Sequence, residues 1–247
     1  VDISFDMWET YRIVVKHVFP DACCITDHFH VIQELTRRVD RVRIRVQNRF
    51  RKTINTLKPK KNNKTITSEE LSRYYYVLKK FNWLLASTNK KILDVNVERR
   101  FNHRLNRYLN YSEILAYILA IDDELEEAFY LRNDVTYFYD HCTYDTAKKQ
   151  LEKIIIDFRS STVAEMSPFA NTLNNWKREI INSFIIVDDK ANRKMNTAIV
   201  ENRNKSIKLL KHASNGYLNW ERFRNRILYT LNEDTTFYYT SIRKDGK

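Results

Sequence analysis

Glycine is almost absent from this chain, at positions 216 and 246 only among 247 residues. Walker-type and dinucleotide-type phosphate cradles need several glycines in one short loop, so that the backbone can turn tightly and approach the phosphates. ATP- and NAD-dependent chemistry of those kinds is therefore excluded. Cysteine is nearly as scarce: Cys23, Cys24 and Cys142 form no Cys-x-x-Cys pair and have no companion set at zinc spacing. A reduced, cytosolic chain is expected. No apolar run approaches the roughly 18 residues of a membrane span, and the opening Val1-Asp2-Ile3-Ser4 lacks the basic and apolar regions of a secretory signal. An initiating Met is also missing, and the expectation is a portion of a protein whose natural start lies upstream.

What is abundant is positive charge. The 43 Lys and Arg face 31 Asp and Glu, for a net charge of +12 and a pI near 9.5. This points to a polyanionic partner, nucleic acid before a membrane surface. A chain of this length buries about 70–75% of its unfolded surface, enough for one or two domains.

The first thirty residues read as strand, helix, strand. Val1, Ile3 and Phe5 alternate with polar neighbours; Trp8, Tyr11, Val14, Val15 and Val18 recur at helical spacing; Ala22 to Thr26 is a short apolar run entered through Pro20 and Asp21. That order predicts a parallel pair with a crossover. From Val31 the period changes, and Val31, Leu35, Val39, Val42, Val46, Phe50 and Leu57 trace one stripe of a long helix. Residues 31–64 hold 12 bases and 2 acids, which suits a phosphate-binding face as well as a solvated one. After a polar break at 59–63, Thr67 to Glu70 has capping-box spacing for a helix through Leu71, Leu78 and Leu85. Further helices are predicted over 97–109, 113–131, 144–159 and 168–184, with Ser112, Thr143 and Ser167-Pro168 as starts. Residues 111–160 carry 11 acids and 5 bases, so this part either faces away from a polyanion or packs on a basic element. Its aromatics, Tyr130, Tyr137, Phe138, Tyr139 and Tyr144, read as core rather than base-stacking platforms. Residues 190–247 are basic again, with one helix through Ile199, Glu201, Ile207 and Leu210 and a last one through Trp220, Phe223, Ile227 and Leu231.

Glu201 is an isolated acid among cations, and Asp6 would sit just past the carboxyl end of its strand. Carboxylates placed so, on a basic surface, suit phosphoryl transfer assisted by two Mg²⁺ or Mn²⁺ ions, because such ions prefer hard oxygen ligands. Asp27-His28-Phe29-His30 is a second cluster. Asp27 and His30 either form a carboxylate–imidazole pair or stand as a helix N-cap and an ordinary first-turn residue, and the two readings are compatible. No Gly-x-Ser-x-Gly elbow occurs, and Cys142 beside His141 has no further support as a nucleophile.

At these residues the chain resembles a known family. Asp6-Met7-Trp8 with Tyr11, Phe19-Pro20-Asp21-Ala22, Asp27-His28-Phe29-His30-Val31 and Arg41-Val42-Arg43 are similar, in order, to bacterial insertion-sequence transposases of the ISL-three type. So are Trp176 to Phe184, then Glu201, Asn204, Ile207, Lys208 and Lys211, then Gly216-Tyr217-Leu218-Asn219 with Phe223, Arg224, Arg226 and Ile227. The resemblance covers essentially the whole chain.

It implies an α/β, predominantly helical protein with an incomplete ribonuclease H-like core and a large all-α insertion. Residues 1–30 would be the first part of the core, 31–189 the basic long helix and insertion, and 190–247 the closing helices. An Asp-Asp-Glu triad is implied, with Glu201 as its Glu and Asp6 as its second Asp, supported by Asp27, His30 and Asn204; Asp27 is the competing position for the triad. The family's first Asp falls upstream of these residues. The stretch before Glu201 reads Asn196-Thr197-Ala198 instead of the usual Ser-Asn-Gly or Ser-Asn-Ala, and Asn202 replaces the Gly often found after it. The implied partners are double-stranded DNA and further copies of the chain, with no membrane, in the bacterial cytoplasm at the nucleoid. Arg37, Arg41, Arg45, Lys205, Lys208 and Lys211 are the expected phosphate contacts. The rival expectation is a non-catalytic remnant that binds DNA or a partner transposase.

Overall fold

The chain opens with a parallel strand pair: β1 (Asp2–Phe5) and β2 (Cys23–Thr26) run side by side with Asp2 opposite Cys23 and Phe5 opposite Thr26. The helix α1 (Glu9–Val18) connects them, as the spacing predicts. The computed structural model describes residues 2–56, 66–188, 193–194, 198–214 and 216–231. Two compact units result, Val1–Asn196 and Thr197–Lys247.

In the first unit the organising element is α2 (His28–Thr56), a 29-residue helix. Its stripe is buried as expected: Val31, Leu35, Val39, Val42 and Val46 are at most 1% exposed, and Phe50 packs on the core edge. Each such side chain contributes about 1.5–3 kcal/mol when taken out of water. Leu57 lies outside the described residues. Against this stripe pack α3 (Ile66–Lys80), whose start precedes the predicted Thr67 cap, and a short 3-10 turn, Asn82–Leu85, which buries Leu84 and Leu85.

The expected helix at 97–109 is instead an antiparallel hairpin, β3 (Arg100–Asn102) and β4 (Arg107–Leu109), with Phe101 opposite Tyr108. Asparagines build it. The Asn102 carboxamide oxygen accepts from the backbone of Arg104 and Leu105, both at 3.1 Å, and Asn106 takes the left-handed conformation at φ 52°. Asn110 donates to the carbonyls of Val95 and Val97 and caps the next helix in a capping box with Glu113.

That helix, α4 (Tyr111–Leu119), therefore starts at Asn110 rather than Ser112, and the predicted span 113–131 is broken. Asp122 accepts from Leu125 N–H and starts α5 (Asp123–His141), which lies along α2. Burial covers one half of α5, through Leu125, Ala128, Phe129, Leu131, Arg132, Val135 and Phe138, while Tyr130, Asp134, Tyr137 and Asp140 lie exposed on the other. Of the aromatics read as core, Phe138 is fully buried and Tyr139 stacks on Phe184 at 5.6 Å, but Tyr130, Tyr137 and Tyr144 are exposed. Thr143 starts α6 (Tyr144–Ser160) with a capping box, and α7 (Phe169–Asn175) follows Pro168. A break at Trp176 leads into α8 (Lys177–Asn182), and the strands β5 (Ile186–Asp188) and β6 (Arg193–Lys194) pair antiparallel.

The second unit contains α9 (Ala198–Ala213) and α10 (Trp220–Leu231). Gly216, at φ +96°, allows the turn between them, and its N–H closes back on the Lys211 carbonyl at 2.9 Å. Tyr217 stacks on Phe223 at 4.7 Å, and Asn219 accepts from Arg222 N–H to start α10. The described chain is thus predominantly helical with a few short strands, as expected. No helix of the described residues is long and apolar enough to cross a membrane.

Candidate functional site

Parallel pairing decides what stands together at the carboxyl ends of β1 and β2. Phe5 and Thr26 are the last paired residues, and Asp6 and Asp27 follow them directly. These are the positions where parallel sheets expose their sites. Directly after them α2 begins, and one helical turn brings His30 back over the strand ends.

The two acids meet different environments. Asp27 is 3% exposed; its Oδ1 accepts the Phe29 N–H at 2.9 Å and lies 3.2 Å from His28 Nδ1. It is the N-cap of α2, where free amides and the helix dipole stabilise a buried negative charge. Burial of the Tyr139 hydroxyl, with the Asp27 charge second, pushes it well above the ordinary tyrosine range. Asp6 is open: its side chain is 58% exposed, and Oδ1 accepts from His30 Nε2 at 2.7 Å.

The imidazole of His30 therefore reaches Asp6 rather than Asp27, and of the two readings of Asp27 the helix N-cap is the one observed. The reason is geometric: capping holds the Asp27 carboxylate down on the first turn, while the His30 side chain projects from that turn toward the end of β1. The parallel register is the signal that could have shown it. Beside Asp6, its carbonyl accepts from Trp8 N–H at 2.6 Å, and Trp8 and Tyr11 form an exposed edge-to-face pair at 4.6 Å.

The floor under this corner is built from the later matched residues. Trp176 packs edge-on against Phe5 at 5.9 Å and beneath the Arg12 guanidinium at 4.5 Å. Glu179, buried, lies 3.8 Å from Arg12, and the Asn182 carboxamide donates to the Cys24 carbonyl at 2.8 Å, closing α8 onto β2. Burial, with the Glu179 charge second, raises the Cys24 thiol pKa and keeps it protonated.

Asp6 belongs to the first unit and Glu201 to the second. The Glu201 side chain lies outside the described residues; its helix α9 presents Asn204, Lys205, Lys208 and Lys211 as exposed residues. Among the described residues no three His, Cys, Asp or Glu side chains group as a metal cage. The donor chemistry of Asp6 fits a hard divalent cation as one ligand, since a carboxylate supplies hard oxygen and this one is more than half exposed.

The basic run of α2 is largely neutralised. Arg45 joins Glu165 at 2.8 and 2.9 Å and also reaches Glu124, while Arg49 pairs with Asp122 at 2.9 Å. Arg38 binds Glu34 and the Glu165 carbonyl, and buried Arg43 binds Asp40, Gln47 and the Leu78 carbonyl. The acid-rich segment packs on the basic helix, one of the two outcomes its composition allowed. Arg45 is consequently a structural cation, held by carboxylates from two other segments. Arg41 is exposed, and exposed Arg37 touches only Glu34, at 3.8 Å.

Comparison with known proteins supplies the remaining evidence. A family model described as transposase, of the DDE type and the ISL-three group, matches residues 1–227. A transposase for insertion sequence element IS1001 from Bordetella parapertussis is 24% identical over 222 residues, covering 90% of this chain. The chain spans about half of that relative, 45% of its length. No solved structure matches.

Proposed function

The chain belongs to the ISL-three family of DDE transposases, and from that premise we propose that it is the catalytic-domain portion of an enzyme that cuts and joins DNA at the ends of a mobile element. The observation that carries the reading to a site is the open carboxylate of Asp6, at the end of a parallel strand and held by His30.

In this reading β1, α1 and β2 begin a ribonuclease H-like core, residues 31–189 carry the helical insertion, and the helices after residue 190 carry Glu201 as the triad's Glu. Asp6 is preferred over Asp27 as the triad member because Asp27 is buried and committed to the start of α2. A further Asp would join Asp6 and Glu201 in the complete transposase. Mg²⁺ or Mn²⁺, when bound, would supply the charge that stabilises the attacking and leaving oxygens of an in-line displacement.

The chain's own residues hold and orient. His30 fixes one Asp6 oxygen, a role of the kind that sets ligand orientation in carboxylate sites. Asn204 would orient Glu201 or contact a base. Lys205, Lys208 and Lys211, with Arg37 and Arg41, would bind phosphates and position the duplex without reading its sequence. Assembly into oligomers on paired DNA ends, in the bacterial cytoplasm at the nucleoid, belongs to the same proposal.

Nicking of supercoiled plasmid in Mn²⁺ tests it, using this chain, a version extended upstream, and Asp6→Asn and Glu201→Gln of each. Nicking by the extended protein that both substitutions abolish is the expected result. DNA binding without cleavage in every version would overturn it in favour of a non-catalytic remnant.

A further inference from the structure

Charge that stays unpaired is concentrated where the sequence suggested an ordinary helix. Between residues 71 and 109 there are 9 Lys and Arg against 2 Asp and Glu. Arg73, Lys79, Lys80, Arg100, Arg104 and Arg107 are all exposed, and none has a salt-bridge partner among the described residues. In α2, by contrast, Arg38, Arg43, Arg45 and Arg49 are each paired with a carboxylate, although Arg41 and Arg51 are exposed. Within the hairpin segment Arg99 is neutralised, by Glu113.

These cations come with aromatic rings. Phe101 and Tyr108 are cross-strand partners whose rings lie 5.0 Å apart on one face of the hairpin, 39% and 67% exposed. The two rings pack on each other across the strands and still leave much of their surface in water. Arg104 lies over the Tyr76 ring at 5.3 Å and donates to Ser72, and Lys79 lies over Tyr75 at 5.9 Å. Tyr75, Tyr76, Lys79, Lys80 and Arg104 line one shallow pocket. Phe101 and Arg100 line a second cleft, with Phe81, Asn102 and Tyr111.

From this, the geometry points to a DNA-contact surface formed by the C-terminal half of α3 and the β3–β4 hairpin, in which the cations hold phosphates and Phe101 and Tyr108 stack on unpaired bases. A positively charged track with exposed aromatics is what single strands require, because every base has a π-face but a duplex hides it. Phosphate contact alone would serve a duplex equally well; the protruding ring pair favours DNA whose bases are open, such as a melted or cleaved end. The inference rests on the transposase reading for the identity of the nucleic acid, but the surface lies apart from the Asp6 corner in sequence and in its elements.

Binding of the full chain to fluorescent single-stranded and duplex oligonucleotides over a salt series tests it. Arg100→Ala/Arg104→Ala/Arg107→Ala should weaken both forms and flatten the salt dependence, by about 0.7 in the log–log slope per lost single-strand phosphate contact. Phe101→Ala/Tyr108→Ala should lower single-strand affinity at least about fivefold per stacked base and leave duplex affinity unchanged. Lys148→Ala/Lys149→Ala, on the exposed face of α6, changes the net charge similarly and should do neither. Circular dichroism melts confirm that the variants fold, since the substituted side chains are exposed. Hairpin variants that bind both forms like the parent would overturn this surface while leaving the transposase reading standing. Absence of salt-sensitive DNA binding by every version, the upstream-extended one included, would overturn both.

Discussion

His30 Nε2 stands 2.7 Å from Oδ1 of Asp6, tying the first turn of α2 to the end of β1 across 24 positions of sequence. The contact joins a half-buried ring to an open carboxylate, so it holds a direction more than it adds stability. Its consequence is kinetic. In an upstream-extended protein that nicks plasmid, His30→Gln should lower the rate by about 10–100-fold, the range for residues that orient a ligating group. Asp6→Asn should abolish nicking, and melting temperatures should stay within a few degrees for both. A His30→Gln protein with unchanged rate would show that the imidazole positions nothing.

Arg45 gives a prediction with a pH sign. The guanidinium, hydrogen-bonded above all by Glu165 and then by Glu124, is held more firmly protonated than usual, and Glu165 is correspondingly held below the ordinary glutamate pKa of 4.5 by that same hydrogen bond. A carboxylate whose folded pKa is depressed stabilises the fold above its unfolded pKa, and that stability is lost as pH falls through the folded value. These side chains are partly exposed, so the network contributes about 1 kcal/mol rather than more. Arg45→Met should therefore be less stable than the parent in urea at neutral pH. The difference should shrink as pH drops below the glutamate range. An equal difference at all pH values would mean that packing, not charge, is what Arg45 supplies.

The asparagines of the hairpin make a third. Asn110 caps α4 through Glu113 N–H at 2.9 Å and also satisfies the Val95 and Val97 carbonyls, so Asn110→Ala should destabilise by about 2 kcal/mol in urea unfolding. Asn106 holds a left-handed backbone at φ 52°. Asn106→Ala should cost about 1–2 kcal/mol, whereas Asn106→Gly should be neutral or better. Equal losses for Ala and Gly would place the importance of Asn106 in its side chain.

How much of this was legible varied by element. The α2 stripe could be read directly, because valines and leucines at steps of three and four admit one buried face. Thr143 as a cap was an equally local signal. The hairpin was not legible: Phe101, Leu105 and Leu109 recur at steps of four, as do Asn102, Asn106 and Asn110, and both rows imitate a helix. What excludes the helix is a set of Asn side-chain bonds to the backbone, together with the burial of Leu105 in the core. At the candidate site the acids themselves could be named, Asp6 and Asp27 both, but not their separate roles. One carboxylate caps a helix and the other stands open, and that division follows from how β1 lies beside β2.

The amino-acid sequence alone determined the helical character, the crossover unit at the start, the basic balance and the family, since each depends on neighbours within a turn or two or on ordered motifs. Tertiary packing decided which charges remain available. Arg45 meets Glu165 across 120 positions and is neutralised, while Arg100, Arg104 and Arg107 have no salt-bridge partner among the described residues. Counting residues reports how much charge a segment carries; only the folded arrangement determines whether a counter-charge lies within reach, because Coulomb attraction depends on separation in space and not along the chain.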